Sequence, residues 1–257
     1  MNTTDLFSLK GRTALITGGS RGIGRMIAAG FLAQGARVYI TARKAAACDA
    51  TAKELSALGH CVSLPLDVST LEGCKALAAA YAQHESELDI LVNNAGAAWG
   101  EAFDSFTEAG WDKVVDLNLK TPFFLTQTLA EPLRKAAKKH VGKVINIASI
   151  DGVSVNPQET YSYAASKGGL IHLTKRMSLR LIQDNIAVSA IAPGAFASDM
   201  NRDARDHGDV VKDRIPAKRI GVDEDMAGAA IYLASRAGDY VVGHTLVVDG
   251  GITHARG

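Results

Sequence analysis

The sequence predicts an α/β fold: one doubly wound domain with a seven-stranded parallel sheet and helices on both faces. Three observations carry that expectation. Short apolar runs rich in Val and Ile alternate with stretches of helical periodicity from the first residues onward. A glycine-rich turn, TGGSRGIG at 17–24, follows the first such run and opens the first helix. No linker, repeat or low-complexity segment divides the 257 residues, so one unit is expected to span 1–257. Strand-helix-strand alternation of this kind forces parallel pairing through right-handed crossovers.

The elements follow in order. RTALITG is a strand that breaks at glycine, and IGRMIAAGFLAQG is a helix stopped by Gly35. ARVYITA is the second strand, CDATAKELSALG a helix, CVSLPLDV the third strand, LEGCKALAAAYAQ a helix and LDILVNNAG the fourth strand. WDKVVDLNLKTPFFLTQTLAEPLRKAAKK reads as one long helix, locally disturbed at Pro122 and Pro132. Its basic end, RKAAKKH, suits the carbonyl pole of a helix dipole. GKVINIAS is the fifth strand, YSYAASKGGLIHLTKRMSLRLIQ a second long helix, IAVSAIAPG the sixth strand and HTLVVDGG the seventh. Residues 195–221 between the last two strands are polar and weakly periodic, and are expected to be the mobile part.

Composition excludes several classes. Hydrophobic residues make up 47% of the chain, enough for a sizeable core, and the net charge of +1 offers nothing to nucleic acid or an acidic membrane. No apolar run reaches membrane-spanning length and the first residues carry no apolar leader, so a soluble cytoplasmic protein is expected. Cys48, Cys61 and Cys74 form neither a C-x-x-C nor a metal-ligand pattern; they read as reduced thiols, with no metal.

Chemistry concentrates in four places. The glycines at 18, 22 and 24 let the backbone approach a pyrophosphate at a helix N-terminus, which makes this a Rossmann-type dinucleotide site rather than a mere packing turn. The second strand ends in YITARK, where an NAD site usually carries an acid for the ribose 2′-hydroxyl. Here Arg43, with Arg21 from the glycine loop, suits a 2′-phosphate, so NADP(H) is the expected cofactor. In YSYAASK, Tyr163 and Lys167 are four apart and share a helix face; Tyr161 has only Ala165 at that offset. A neighbouring ammonium is expected to lower the Tyr163 pKa, so that the phenol can exchange a proton with a carbonyl oxygen. Ser149 and Asn118, taken singly, read as a helix cap and a surface amide.

Together these motifs resemble the short-chain dehydrogenase/reductase family in its branch of about 250 residues. The likeness runs from TGGSRGIG through LDV, NNAG, VDLNLK, INIAS, Tyr163 and Lys167 to PG at 193–194. It implies that Tyr163 is the general acid/base, that Lys167 lowers its pKa and holds the nicotinamide ribose, that Ser149 polarises the carbonyl, and that Asn118 positions a water relaying protons to the lysine. It implies cofactor contacts from Gly18, Ser20, Arg21, Gly22, Ile23, Gly24, Arg43, Asp67, Val68, Asn94, Ala95, Gly96, Tyr163, Lys167, Pro193, Gly194, Phe196 and Ser198. Ser198 stands where the family usually has threonine, and Asn93 reads as a sheet-stabilising amide.

Within the family the chain is most similar to 3-oxoacyl thioester reductases of the rhamnolipid-synthesis type, through NNAGAAWGEAFDS and PGAFASDMNR. Trp99, Phe103, Ile150, Phe196 and Met200 are the expected pocket wall for an acyl chain. Reductases serving acyl carrier protein tend to carry arginine near the end of the catalytic helix; Asp184 at that place disfavours an acidic carrier. Arg202, Arg205, Lys212 and Arg214 read as a solvated lid, with coenzyme A phosphates as the alternative partner. A small ketone, sugar acid or polyol is the alternative substrate, to which Asp151, Asn156 and Gln158 would be suited; a non-catalytic NADP sensor is the third reading. The two long helices, the second apolar on more than one side, with Gly168 and Gly169 permitting close approach, are expected to meet a partner subunit; the family resemblance implies that they pair across a two-fold axis, with a second interface near HTLVVDGG making a homotetramer, and a dimer as the alternative.

Overall fold

The computed structural model describes residues 3–198 and 201–255. A short helix α1 (Thr3–Leu6) precedes β1 (Thr13–Thr17), α2 (Gly22–Ala33), β2 (Arg37–Thr41), α3 (Ala45–Leu55), β3 (Cys61–Ser63), α4 (Leu71–Ala82) and β4 (Ile90–Asn93). The second half holds α5 (Glu108–Val115), α6 (Thr121–Thr128), α7 (Ala130–Ala137), β5 (Gly142–Ile147), α8 (Tyr161–Leu181) and β6 (Ile186–Pro193). It ends with α9 (Arg202–Asp206), α10 (Gly208–Val211), α11 (Asp223–Ala234) and β7 (Thr245–Val248).

All seven strands join one sheet in the order β3-β2-β1-β4-β5-β6-β7, every pairing parallel. β1, β4, β5 and β6 are buried along their length, which matches their uninterrupted apolar runs. One core packs α2 and α11 on one face, through Ile27, Phe31, Met226 and Leu233. The other packs α4, α6 and α7 through Leu77, Tyr81, Leu125 and Leu133. Gly35, at φ +85°, ends α2 as its position predicts.

Three expectations change. The third strand is confined to Cys61–Ser63, because Pro65 cannot donate to a ladder. The single helix from Trp111 onward is three helices, α5 to α7, with a π-turn over Asp116–Lys120 between the first two. Pro122 sits in the first turn of α6, directly after the π-turn. Helix α11 lies outside every stretch assigned above, and within the polar, weakly periodic segment residues 202–214 form short helical turns.

A polar ladder runs through the middle of the sheet. Asn93 Nδ2 donates to Asn146 Oδ1 at 2.8 Å and to Thr126 Oγ1 at 3.2 Å. Asn146 Nδ2 donates to Thr174 Oγ1 at 2.9 Å. All four residues are buried, so β4 and β5 are tied to α6 and α8, which pack on the same face of the sheet. Asn93 is thus the sheet-stabilising amide expected. Asn146→Ala removes two buried hydrogen bonds and is expected to lower the unfolding free energy by about 2–4 kcal/mol. Urea unfolding checks this; a loss below about 0.5 kcal/mol would show that the ladder contributes nothing.

Candidate active site

The carboxyl ends of β1, β4, β5 and β6 meet at one edge of the sheet, and each sends out a loop carrying predicted residues. The glycine loop and the NNAG loop are tied together by Thr17, whose Oγ1 accepts from Asn94 N and Ala95 N, both at 2.9 Å. Asn94 Nδ2 returns the contact to Thr17 O at 2.8 Å and Gly18 O at 3.2 Å.

The loop fits a dinucleotide. Gly18 and Gly22 hold φ of +66° and +52°, and a Cβ on Gly24 would sit 2.3 Å from Gly18 O. α2 starts at Gly22 with Arg21 extended before it and no side chain capping it, so its first N–H groups face the crevice. Thr51 Oγ1 donates to Ser20 O at 2.9 Å, fixing the loop's far side, while Ile23 packs on the core. Arg43 is exposed at the end of β2 and Arg21 is exposed in the loop. Val68 is buried and accepts from Thr121 Oγ1 at 2.8 Å; exposed Asp67 accepts from Ser69 N at 3.0 Å. Pro193 ends β6, Gly194 N donates to Val248 O, and the Ser198 Cβ lies 3.2 Å from where a Cβ on Gly22 would stand. The chain after β6 therefore returns over the glycine loop.

Around Ser149 the proton-bearing groups converge. Ser149 Oγ accepts from Asp151 N at 3.1 Å, so it caps the turn Ile150–Gly152, and its hydroxyl neighbours the Tyr163 phenol closely enough to bias its titration. Lys167 is buried; its Nζ donates to Ile147 O at 2.7 Å and lies 5.6 Å from the centre of the Tyr163 ring. Asn118 projects from the π-turn. Its Oδ1 accepts from Ala97 N at 2.8 Å, while Nδ2 donates to Ala97 O at 2.9 Å and Ser166 Oγ at 3.1 Å. Gly96 passes between Asn118 and Lys167: a Cβ there would meet Asn118 Oδ1 at 3.2 Å and Lys167 Nζ at 3.8 Å.

The family model described as enoyl-(acyl carrier protein) reductase matches residues 18–253. The chain belongs to the short-chain dehydrogenase/reductase family. It is 46% identical to the rhamnolipids biosynthesis 3-oxoacyl-[acyl-carrier-protein] reductase of Pseudomonas aeruginosa, over 95% of this chain and 97% of that one. It is 40% identical to the 2-dehydro-3-deoxy-D-gluconate 5-dehydrogenase of Bacillus subtilis, over 96% of each. Among solved structures it superposes on the Pseudomonas aeruginosa RhlG/NADP active-site complex with a TM-score of 0.94 at 44% identity, covering 98% of this chain and all of that one. A gluconate 5-dehydrogenase from Burkholderia cenocepacia in complex with NADP and tartrate gives 0.90 at 35%, covering 99% of this chain and 100% of that one.

This dehydrogenase/reductase departs from its sequence-based reading in titration. Burial pushes the Tyr163 phenol up, to about 12, against the lowering by the Ser149 hydroxyl, and the Asp151 charge adds to the rise. Lys167 does not lower it, because its ammonium lies over the ring and is spent on the Ile147 carbonyl. Burial also brings Lys167 down to about 8. The pocket wall changes too. Phe196 is core, stacked where Gly221 has no Cβ and bridged to it, rather than wall. Met200 lies outside the described residues. Thr17 and Ser166 were not assigned roles by sequence; Thr17 is the first residue of the TGGSRGIG motif, but only the fold brings Ser166 to Asn118. Among the described residues, no three His, Cys, Asp or Glu side chains group to hold a metal.

The depressed Lys167 pKa makes a stability statement. An unfolded lysine binds its proton up to about 10.4, the folded one only to about 8, so stability rises with pH between those values. Lys167→Met is therefore expected to be more stable than the parent at pH 7, by about 1–3 kcal/mol, with the gap closing near pH 10. Urea unfolding at both pH values checks this; a less stable variant at pH 7 would refute it.

Proposed function

We propose that this oxidoreductase is an NADPH-dependent carbonyl reductase acting on 3-oxoacyl thioesters. The observation that carries the chemistry is the Ser149 hydroxyl beside a half-buried Tyr163 phenol, with the buried Lys167 ammonium behind the ring. The substrate class rests on the likeness to the rhamnolipid-synthesis reductase. NADP bound to the relatives, the glycine cradle, and Arg43 with Arg21 at the second strand support the cofactor.

When bound, NADPH supplies the hydride. The glycine loop and the N-terminus of α2 would hold its pyrophosphate, and Arg21 and Arg43 would meet the 2′-phosphate. Ser149 and Tyr163 donate to the carbonyl oxygen, and Tyr163 releases its proton as that oxygen gains charge. Lys167, behind the ring and anchored on the Ile147 carbonyl, would hold the ribose hydroxyls and act as the proton reserve of the site. Asn118 acts as a positioning residue: it fixes the NNAG loop and α8 in one grip. Ser198 takes the place of the family's threonine against the glycine loop.

A keto-aldonate is the second reading, favoured by the gluconate relatives. For the carrier, Asp184 is clamped by Arg134 at 2.9 Å and Arg180 at 3.1 Å, so the cations of that surface are engaged by the chain's own acid. Lys212 pairs with Asp209 and Arg205 with Asp206 in the same way. Arg214 is exposed, and the Arg202 side chain lies outside the described residues. These pairs leave that surface little free positive charge for an acidic carrier protein.

A homotetramer is the assembly this reading takes. Trp111, Phe123, Leu179 and Ile182 are exposed along α5 to α8, and Tyr240 is fully exposed just before β7. The support differs from expectation in two respects. Gly169 admits Leu119 of the same chain and Gly168 faces Gly152, so the pair serves internal packing. The outer side of α8 also carries exposed His172, Lys175 and Arg176, so it is not apolar all round. Free thiols, and no described helix long and apolar enough to cross a membrane, accord with a cytoplasmic site.

Oxidation of NADPH against a carbonyl panel tests the reading, with 3-oxoacyl thioesters on coenzyme A and on a carrier protein beside keto-aldonates. Thioesters are expected to turn over fastest, and Tyr163→Phe to abolish turnover, by roughly a thousandfold or more, with NADPH binding nearly intact. Near-parental turnover in that variant would refute the assigned chemistry. Arg43→Ala is expected to raise the KM for NADPH about tenfold and leave that for NADH unchanged; a parent enzyme with kcat/KM for NADH at or above that for NADPH would overturn the cofactor assignment.

A further inference from the structure

Away from the catalytic edge, a cleft of about 370 Å³ lies between α4 and the α6–α7 pair. It follows from how those helices are held. Leu77 and Tyr81 pin α4 to the sheet, and Leu125, Leu129 and Leu133 pin α6 and α7, all in one buried cluster. The residues between them are small: Ala78 and Ala82 on α4, Thr128 and Pro132 opposite. Anchored from below, the helices do not close on the space those side chains leave. The turn after α4 is fixed as well, because the Tyr81 hydroxyl donates to Glu87 O at 2.8 Å and Leu88 N to Pro132 O at 3.1 Å. Glu85 and Ser86 of that turn line the cleft and precede β4, whereas the NNAG loop follows it. The cleft therefore lies at the amino end of a strand whose carboxyl end serves the catalytic edge.

Its walls are apolar and its rim is unequally charged. Glu85 is engaged already: its Oε1 accepts from Arg37 Nε at 2.8 Å and from the Tyr39 hydroxyl at 2.9 Å, and its Oε2 from Arg37 Nη2 at 3.0 Å. On α7, Arg134 pairs with Asp184, and Lys139 beyond it pairs with Glu87. Lys135, which lines the cleft, pairs with no carboxylate among the described residues, Glu131 one turn earlier included. Ser86 adds an exposed hydroxyl. A ligand with an apolar body and one negative head meets both features, since it covers the alanines, Leu129 and Pro132 and supplies the charge that Lys135 lacks. The volume falls in the range of small-ligand sites.

We propose that this cleft binds a medium-chain aliphatic carboxylate, its chain between Ala82 and Pro132 and its head on Lys135 and Ser86. The site is separate from Ser149, Tyr163 and the glycine loop, and it does not depend on the thioester reading. Ligand and cofactor occupy the protein together.

The test is calorimetric titration of hexanoate, octanoate, decanoate and decanol into the NADP-saturated protein, in the parent, Lys135→Glu and Ala82→Phe. Both altered positions are exposed, and NADPH affinity is expected to stay unchanged in both variants. The parent is expected to bind decanoate saturably, with affinity falling about tenfold for each pair of methylenes removed. Lys135→Glu replaces attraction by repulsion, so it is expected to weaken decanoate about tenfold and decanol less than twofold. Ala82→Phe fills the cleft and is expected to weaken both about tenfold. Decanoate binding equally tight in all three proteins would place the ligand elsewhere and overturn the assignment, as would no saturable binding up to about 1 mM in the parent. A loss confined to Ala82→Phe would overturn the charged head.

Discussion

The hydroxyl of Thr17 holds the active edge together. It is almost wholly buried, accepts two backbone N–H groups from the NNAG loop, and donates to Val92 O at 3.3 Å. β1 has β2 on one side and β4 on the other, so the strand order reverses there and the crevice opens between the loops of β1 and β4. Without that hydroxyl, two loops with three buried donors and acceptors would have to find other partners. With it they close so tightly that neither Gly18 nor Gly24 has room for a Cβ beside Asn94. The grip propagates: Asn94 leads to Gly96, Gly96 passes Asn118 and Lys167, and Asn118 reaches Ser166 on the catalytic helix.

The buried phenol and ammonium make sense as a pair prepared for reduction. A phenol whose burial raises its pKa is a poor base and holds its proton across the whole working range of pH. That is the protonation state needed to meet a carbonyl oxygen as it gains negative charge. Lys167, brought to about 8, sits where its proton can be given up and regained at little cost. The Ile147 carbonyl stabilises the charged form against burial. The site thus keeps a proton on the donor and a mobile one behind it, at the expense of folding stability.

Most of the architecture was legible because its signals are local. Seven apolar runs, the turn glycines and the alternation with helices predict the sheet and its parallel sense, and the motif residues from Gly18 to Gly194 fall at one edge. What escaped depends on distance in the chain. Helix α11 is rich in alanine and opens with three acids, Asp223, Glu224 and Asp225, yet it follows a polar stretch that masks its start. Phe196 looks like a pocket residue from its place after PG, but Gly221, 25 residues later, makes room for its ring in the core. The Tyr163–Lys167 spacing puts both on one face, while it cannot say that the ammonium turns to a carbonyl instead of the phenol. Titration follows burial and partners, which no spacing reports.

The π-turn at Asp116–Lys120 shows why a continuous helical pattern misleads at such a point. The hydrophobic periodicity runs as one helix through VVDLNLK, although Val114, Val115, Asp116 and Asn118 are weaker helix formers than the leucines and lysine beside them. Tertiary demands differ. Asn118 must reach Ala97 and Ser166 together, and its neighbour Leu119 must fill the space left by Gly169 on α8. Two adjacent residues of a regular α-helix point in directions too far apart to serve one neighbouring helix. A wider turn brings both to bear on α8, and single π-turns occur at functional positions for this kind of reason. Pro122 falls in the first turn after the irregularity, while the helical backbone runs on without a break from α5 into α6. The proline read as a local disturbance thus stands directly after the π-turn, and the amide before it is placed where the catalytic helix can be held.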